Sequence, residues 1–335
     1  MGHHIGDLSN WETLRSFREG IEHFSRLFDV EPGVVAHDLH PEYLSTKHAL
    51  ELDGVDLVGV QHHHAHLAAC LAEYGHLGPA VGAIYDGTGY GPDGTVWGGE
   101  VLAGDLAGFE RAVHLRPVRM PGGEAAIREP WRMACAWLAD ALGTDVPPLP
   151  AALAGEVDAG RWRAVAGLAA SGVASPLTTS MGRLFDAVAA LCGVRARVNY
   201  EGQAAAELEA LAARAGVSRR PYDLPVLDGL LDPRPALRAI HRDLAAGASP
   251  ATVAARFHAT VARATARACA EEAGRRGLGT VVLSGGVFQN RVLLERTGRR
   301  LEGACLRVLV PERLPPNDGG ISYGQAAVAA ARRGG

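Results

Sequence analysis

The chain lacks any apolar run approaching the roughly 18 residues that a membrane span needs, and its amino terminus has no charged-then-apolar leader. A soluble protein with no membrane partner is therefore expected. Cysteine is scarce as well: the 5 present are Cys70, Cys135, Cys192, Cys269 and Cys305, odd in number, scattered and never spaced as C-x-x-C. That pattern excludes a disulfide framework and a zinc finger, and predicts a reducing, cytoplasmic compartment. Positive charge is not in excess either. The formal net charge of -4 argues against a nucleic-acid partner held by a basic face, while leaving room for small anionic ligands. Low-complexity tracts and internal repeats are absent. What is plentiful is glycine, 42 residues in 335, which implies many tight turns where backbone comes close to something else. The length exceeds one small core and predicts two lobes or one large α/β domain.

Along the chain, Ser9 and Glu12 read as a capping box for an amphipathic helix whose apolar residues are Leu14, Phe17, Ile21, Phe24 and Phe28. A strand over Val34–Asp38 and a helix begun by Pro41 follow. "DLVGV" is the next strand, and "HHHAHLAACLAEYG" a helix that stops at Gly75. From Ala80, "AVGAIYDGTGYGPDGTVWGGEVLAG" reads as a β-hairpin with Asp93-Gly94 in its turn. A lobe boundary near Gly78 divides the chain into a first lobe, 1–78, and a second lobe, 79–335. Helices with few strands occupy the middle, up to a long helix capped by Ser249 and started by Pro250. "TVVLSGGVFQN" is strand, glycine turn and helix start. "LRVLVPERLPPNDGGISYGQAAVAAA" is strand, proline loop and terminal helix, and that helix is expected to pack back on the first lobe.

The densest chemical signal is "VQHHHAH", Val60 to His66. On a helix, His62 and His66 share one face and can reach a single ion. The alternative has His62 and His66 hydrogen-bonded in the core, with His63 and His64 at the surface. Carboxylates decide between them. Asp86 ends an apolar strand at a glycine turn, and Asp318 lies in "PPNDGG" ahead of the last helix; each has turn formation or capping as its ordinary role. Should they converge on the histidines, two nitrogens and two oxygens would suit zinc or ferrous iron. Cys70 continues the same helical face but lies about 12 Å along the axis from His62 at the usual rise, so it belongs to the core.

"DGTGYG" (Asp86–Gly91) and "SGGV" (Ser284–Val287) each follow an apolar strand, where bare amides can approach phosphate oxygens. A tight turn without ligand is the plainer reading of either. The second is followed by a helix start that leaves Asn290 placed to reach a base or sugar. In "MGRLFDAVAAL" Asp186 can take ribose hydroxyls, and in "YEGQAAAELE" Glu201 has a similar case; an ordinary amphipathic helix and a surface carboxylate are their alternatives.

Together "VQHHHAH", "YDGTGYGPDGTVWGGE", "REPWRMA", "GRLFDAVAAL", "NYEGQAAAELE", "LSGGVFQNRVLLE" and "PPNDGGISYGQA" resemble the carboxy-terminal carbamoyltransferase region of the hydrogenase maturation protein HypF, from about His4 to the end. Relatives of that region include antibiotic O-carbamoyltransferases and the tRNA threonylcarbamoyl-transfer proteins. The resemblance implies an α/β, two-lobed actin-like, sugar-kinase-like fold. It also implies one divalent metal, Fe2+ or Zn2+, on His62, His66, Asp86 and Asp318, and the ATP or AMP moiety of carbamoyl adenylate among Gly87, Thr88, Gly89, Gly182, Asp186, Glu201, Gly285, Gly286 and Asn290. The implied reaction moves the carbamoyl group of carbamoyl adenylate to the C-terminal cysteine of the partner HypE, for the cyanide ligand of [NiFe] hydrogenase. Arg128 and Arg132 in "REPWRMA" receive no role. The family's acylphosphatase-like, cysteine-rich and adenylate-forming segments are not visible, so the adenylate-forming domain is expected upstream or in trans. "MG" stands where the family's opening hairpin would precede "HIGDL", so a first lobe short of two strands is expected. The competing expectations are transfer to a small-molecule hydroxyl and a non-catalytic nucleotide-binding scaffold. A sugar-kinase-like phosphotransferase has no evident use for paired histidines.

Overall fold

The computed structural model describes residues 5, 6, 8, 10–216 and 220–334. Its first helix, α1 (Trp11–Phe28), is capped by Asn10, whose side chain accepts from the Thr13 amide. The cap therefore falls one residue later than the Ser9–Glu12 box would place it, and Ser9 itself lies outside the described residues. β1 (Val34–Asp38) and β2 (Asp56–Val60) pair in parallel and are linked through α2 (Leu44–Leu50). α2 starts after Tyr43 rather than at Pro41. The reason is local: Asp38 Oδ1 accepts from the His40 amide at 2.8 Å, and the His40 and Tyr43 rings stack at 4.1 Å, so Pro41 is spent on the turn. α3 (His62–Glu73) follows β2 directly, capped by Gln61, whose Oε1 accepts from the His64 amide at 2.9 Å.

The hairpin of β3 (Ala80–Tyr90) and β4 (Val96–Gly104) is extended by β5 (Phe109–Leu115). Beyond it run β6 (Val118–Arg119), α4 (Ala125–Arg128), α5 (Pro130–Leu142), α6 (Ala159–Ser171), β7 (Leu177–Thr178) and α7 (Met181–Leu191). The next elements are α8 (Gln203–Ala215), β8 (Val226–Leu227), β9 (Leu230–Leu231), α9 (Arg234–Ala245) and α10 (Pro250–Arg276), with Ser249 capping the last. β10 (Thr280–Ser284), α11 (Arg291–Glu302), β11 (Arg307–Leu309) and α12 (Ile321–Gly334) complete the chain. The large sheet has the order β11-β10-β3-β4-β5-β9-β8, with β10 parallel to β3 and β11, β4 antiparallel to β3 and β5, and β7 pairing β4 and β6 off this path.

Period-two alternation along β3 divides the interior. Val81, Ala83 and Tyr85 join the main core with residues of α5, α7 and α10, while Ala80 and Ile84 face Leu67, Cys70 and Leu71 of α3. The second face is completed by α12, which packs on α3 and β1. Gly324 makes that approach possible, because a Cβ there would run into the Ala65 carbonyl of α3. The consequence is positional: β1, α3, β3, β10 and α12 bring their functional ends to one edge of the molecule.

Candidate metal and nucleotide site

His62 and His66 project from the first turns of α3 and are buried. Parallel pairing sets Asp38 opposite Val60, so the end of β1 meets the start of α3, and His62 Nδ1 lies 2.9 Å from Asp38 Oδ2. A carboxylate only accepts, so Nδ1 carries the proton and the ring turns Nε2 outward. There His62 Nε2 is 3.3 Å from Asp86 Oδ2 and 3.4 Å from Asp318 Oδ1, and His66 Nε2 is 3.2 Å and 3.7 Å from the same atoms. The donor atoms of all four residues fall within 4.8 Å of one another.

Two lone-pair nitrogens facing two carboxylate oxygens repel unless a cation lies between them or protons bind. Burial alone would depress the His62 and His66 imidazoles, yet hydrogen bonds to Asp318, to Asp86 and, for His62, to Asp38 outweigh it and raise both. In the same balance burial opposes ionisation of Asp86, and its bonds to the two histidines hold it well below the usual carboxylate range. Four donors around a metal at about 2.1 Å stand roughly 3.4 Å apart in a tetrahedron, matching the spacings here, so the residues fit a divalent ion. Asp38 is absent from the ligands proposed on sequence. Its only sequence signal is a polar residue ending an apolar strand.

The other two histidines do different work. His63 and His64 are fully buried rather than at the surface, because the helix is enclosed by β3 and β4 on the sides they face. His64 Nε2 meets the Asp105 carbonyl at 2.8 Å, and the His63 ring lies against Trp97. Gly89 gives His63 its room, since any Cβ there would strike the ring. Cys70 is buried in the core as expected.

Asp86 sits where the β3 ladder breaks. Tyr85 pairs with Gly99 and Gly89 with Trp97, so Asp86, Gly87 and Thr88 stand opposite Gly98 alone and bulge from the sheet. The bulge forms one wall of a cavity of about 1280 Å³. Gly182 and Asp186 of α7, Glu201, Gly286, Asn290 and Asp318 line it too, and Phe17, Ile21 and Phe24 of α1 give it an apolar wall. Two residues expected around a nucleotide do not reach it. Gly89 packs on His63, and Gly285, at φ 97°, presses on the Tyr85 backbone; the bulge turns the first away, and the second shapes the turn that exposes Gly286. Asn290 lines the cavity, but its Oδ1 caps α11 at Leu293 and its Nδ2 lies 2.9 Å from His258 Nε2.

Asp186 is buried, and burial pushes its carboxyl up to about 6 against the lowering effect of Arg183. Arg183, also unassigned on sequence, is buried with Nη2 3.2 Å from Asp186 Oδ2 and 3.0 Å from Glu201 Oε1. Arg128 and Arg132 are not among the cavity lining. Arg132 instead pairs with Glu129 at 2.6 Å, a carboxylate that also takes Arg161 and Arg197.

With this geometry in place, the chain can be set beside known proteins. Residues 1–73 match the family described as HypF Kae1-like domain, and residues 82–325 the family described as Carbamoyltransferase, Kae1-like Domain, second subdomain. The carbamoyltransferase HypF of Rhodobacter capsulatus is 43% identical over 348 residues, covering 99% of this chain and 44% of that protein. The carbamoyltransferase HypF homolog of Cupriavidus necator is 38% identical over 337 residues, covering 97% of this chain and 84% of that protein. Among solved structures, full-length HypF in its phosphate- and nucleotide-bound form is similar at a TM-score of 0.93 and 41% identity, over 99% of this chain and 43% of that one. The chain thus spans less than half the length of the full-length relatives it matches.

Proposed function

Because the chain belongs to the HypF carbamoyltransferase family and spans its Kae1-like region, we propose that it transfers the carbamoyl group of carbamoyl adenylate to the C-terminal cysteine of a HypE-type partner. That step serves the cyanide ligand of [NiFe] hydrogenase. One observation carries the reading: Asp86 and Asp318, the carboxylates that complete the four-donor cluster with His62 and His66, line the same cavity as Asp186, Glu201 and Gly286. A solved relative is described as phosphate- and nucleotide-bound, which supports a nucleotide there. The order β5-β4-β3-β10-β11 with β4 alone antiparallel supports the two-lobed actin-like, sugar-kinase-like assignment. We place the reaction in the cytoplasm; no helix among the described residues is long and apolar enough to cross a membrane.

In this reading His62, His66, Asp86 and Asp318 hold Fe2+ or Zn2+, which when bound supplies a Lewis acid for charge developing on the substrate. The protein's own residues do the positioning. Asp38 fixes the His62 ring. Asp186 and Glu201 accept the ribose hydroxyls, and the bulge at Gly87 and the turn at Gly286 bring backbone close to the phosphate. α1 lines one side of the cavity with apolar side chains, which limits water around the anhydride. The partner's thiolate sulfur bonds to the carbamoyl carbon, the bond from that carbon to the phosphate oxygen breaks, and AMP leaves with the electron pair. AMP is a good leaving group, so positioning and charge stabilisation suffice. Carbamoyl adenylate itself comes from an adenylate-forming domain upstream or in trans.

The test supplies finished carbamoyl adenylate and a partner ending in cysteine, and follows the carbamoyl adduct by mass spectrometry. Adduct is expected with the adenylate, and none when ATP and carbamoyl phosphate replace it. Carbamoylation of an aminoglycoside-type alcohol in preference to the thiol would overturn the acceptor, and no turnover with either would leave a nucleotide-binding scaffold.

A further inference from the structure

The Arg183 side chain is only 2% exposed. A buried guanidinium is costly unless its charge is met, and here one nitrogen, Nη2, meets both carboxylates, at 3.2 Å from Asp186 Oδ2 and 3.0 Å from Glu201 Oε1. The two acids come from different elements: Asp186 is one turn along α7 from Arg183, whereas Glu201 lies in the turn before α8 and its side chain is 52% exposed. Among the described residues, Arg183 is the polar partner of the Glu201 side chain on α7. The start of α7 is itself tied to the bulge, because Ser180 Oγ lies 2.9 Å from the Asp86 carbonyl and 2.6 Å from that of Gly87. Gly87 supplies the space: a Cβ there would come within 2.5 Å of Glu201 Oε1 and 3.3 Å of Arg183 Nη2.

We propose that Arg183 is a positioning residue for the nucleotide sugar, bridging Asp186 and Glu201 so that two carboxylates from separate elements act as one acceptor pair for the vicinal ribose hydroxyls. The inference rests on the reading of Asp186 and Glu201 as ribose-binding. With Oδ2 and Oε1 engaged by the guanidinium, Asp186 Oδ1 and Glu201 Oε2 are the oxygens left to accept. Arginine suits the task because its nitrogens lie in one rigid plane, whereas a lysine ammonium ends a flexible stem and needs no fixed direction.

Calorimetry on the full chain with ATP and with 2′,3′-dideoxy-ATP reads the pair directly. The wild type should prefer ATP by roughly 100- to 10,000-fold, the span of two hydrogen bonds to charged acceptors. Arg183→Gln should bring the two affinities within about threefold of each other by weakening ATP, with dideoxy-ATP little changed, because only the sugar hydroxyls lose their acceptors. Gly87→Ala keeps Arg183 and displaces Glu201, should collapse the same ratio, and decides the matter if Arg183→Gln does not fold. A ratio preserved in the folded variants would overturn the positioning role while leaving the ribose reading intact. A wild type that binds both nucleotides equally would overturn that reading, and this inference with it, before any substitution is made.

Discussion

At the residue scale, Asp38 is not one of the four donors but decides which His62 nitrogen faces the cluster. Residues behind the ligands tune metal affinity by roughly 10- to 100-fold, so Asp38→Ala should weaken Zn2+ or Fe2+ binding by that factor, and His66→Ala, which deletes a donor, should abolish it. Elemental analysis and titration against a chelating dye check both, and full occupancy in His66→Ala would remove the assignment. Asp186 offers a second test. Its carboxyl sits at about 6 in the fold and near 4 in an unfolded chain, so between those values the folded protein keeps a proton that the unfolded one has lost. Stability is therefore present at low pH and lost as pH rises through about 6. Asp186→Asn cannot ionise, so relative to wild type it should gain on the order of 3 kcal/mol between pH 4 and pH 8, from about two units at 1.36 kcal/mol each. Denaturant melts across that range measure it, and a pH-independent difference would show that Asp186 is not held up by burial.

At the scale of elements, α12 and α3 matter more than either would alone, because Asp318 sits just ahead of α12 and both histidines sit on α3. Their closeness depends on Gly324, whose missing side chain admits the Ala65 carbonyl. Gly324→Ala should cost about 1 to 3 kcal/mol in stability, as overpacking does, and should weaken the metal as well by moving Asp318 off the histidines. Thermal melts and dye competition on the same samples check the two effects together. A destabilised variant with unchanged metal affinity would show that Asp318 is held by its own loop rather than by α12. The β3 bulge has the same character: three residues opposite Gly98 put Asp86 beside the histidines and Gly87 beside Arg183.

For the whole molecule, residues far apart in the chain line one cavity, from Phe17 of α1 through Asp86 and Asp186 to Asp318, and two of them, Asp86 and Asp318, also belong to the four-donor cluster. A ligand bound only by the folded state stabilises it by mass action, by about 2.7 kcal/mol at a hundredfold its Kd. Saturating ATP should therefore raise the melting temperature, and scanning fluorimetry with and without nucleotide measures the shift. An unshifted melt would leave the cavity without its proposed occupant.

The strands Val34–Asp38, Asp56–Val60, Ala80–Tyr90 and Thr280–Ser284 and the helices after Gln61 and Ser249 were legible in the sequence because periodicity and capping are local. β5 and the two-residue strands β6 to β9 were not, being too short or too irregular to show a period of two. The i, i+4 spacing of His62 and His66 likewise proposed a shared face, since helix geometry alone dictates it. Which groups complete that face was beyond local pattern. Asp38 reaches His62 through parallel pairing of β1 with β2, Arg183 reaches Glu201 across two elements, and Gly89 turns to His63 because the β3 ladder breaks. Sequence by itself determined the elements and the reactive residue types, which follow from neighbours a few positions apart. Only the tertiary structure decided which side chains share a site, because strand register and helix packing bring Asp38 and Asp318, far apart in the chain, to opposite nitrogens of the His62 ring, and no short-range pattern encodes those contacts.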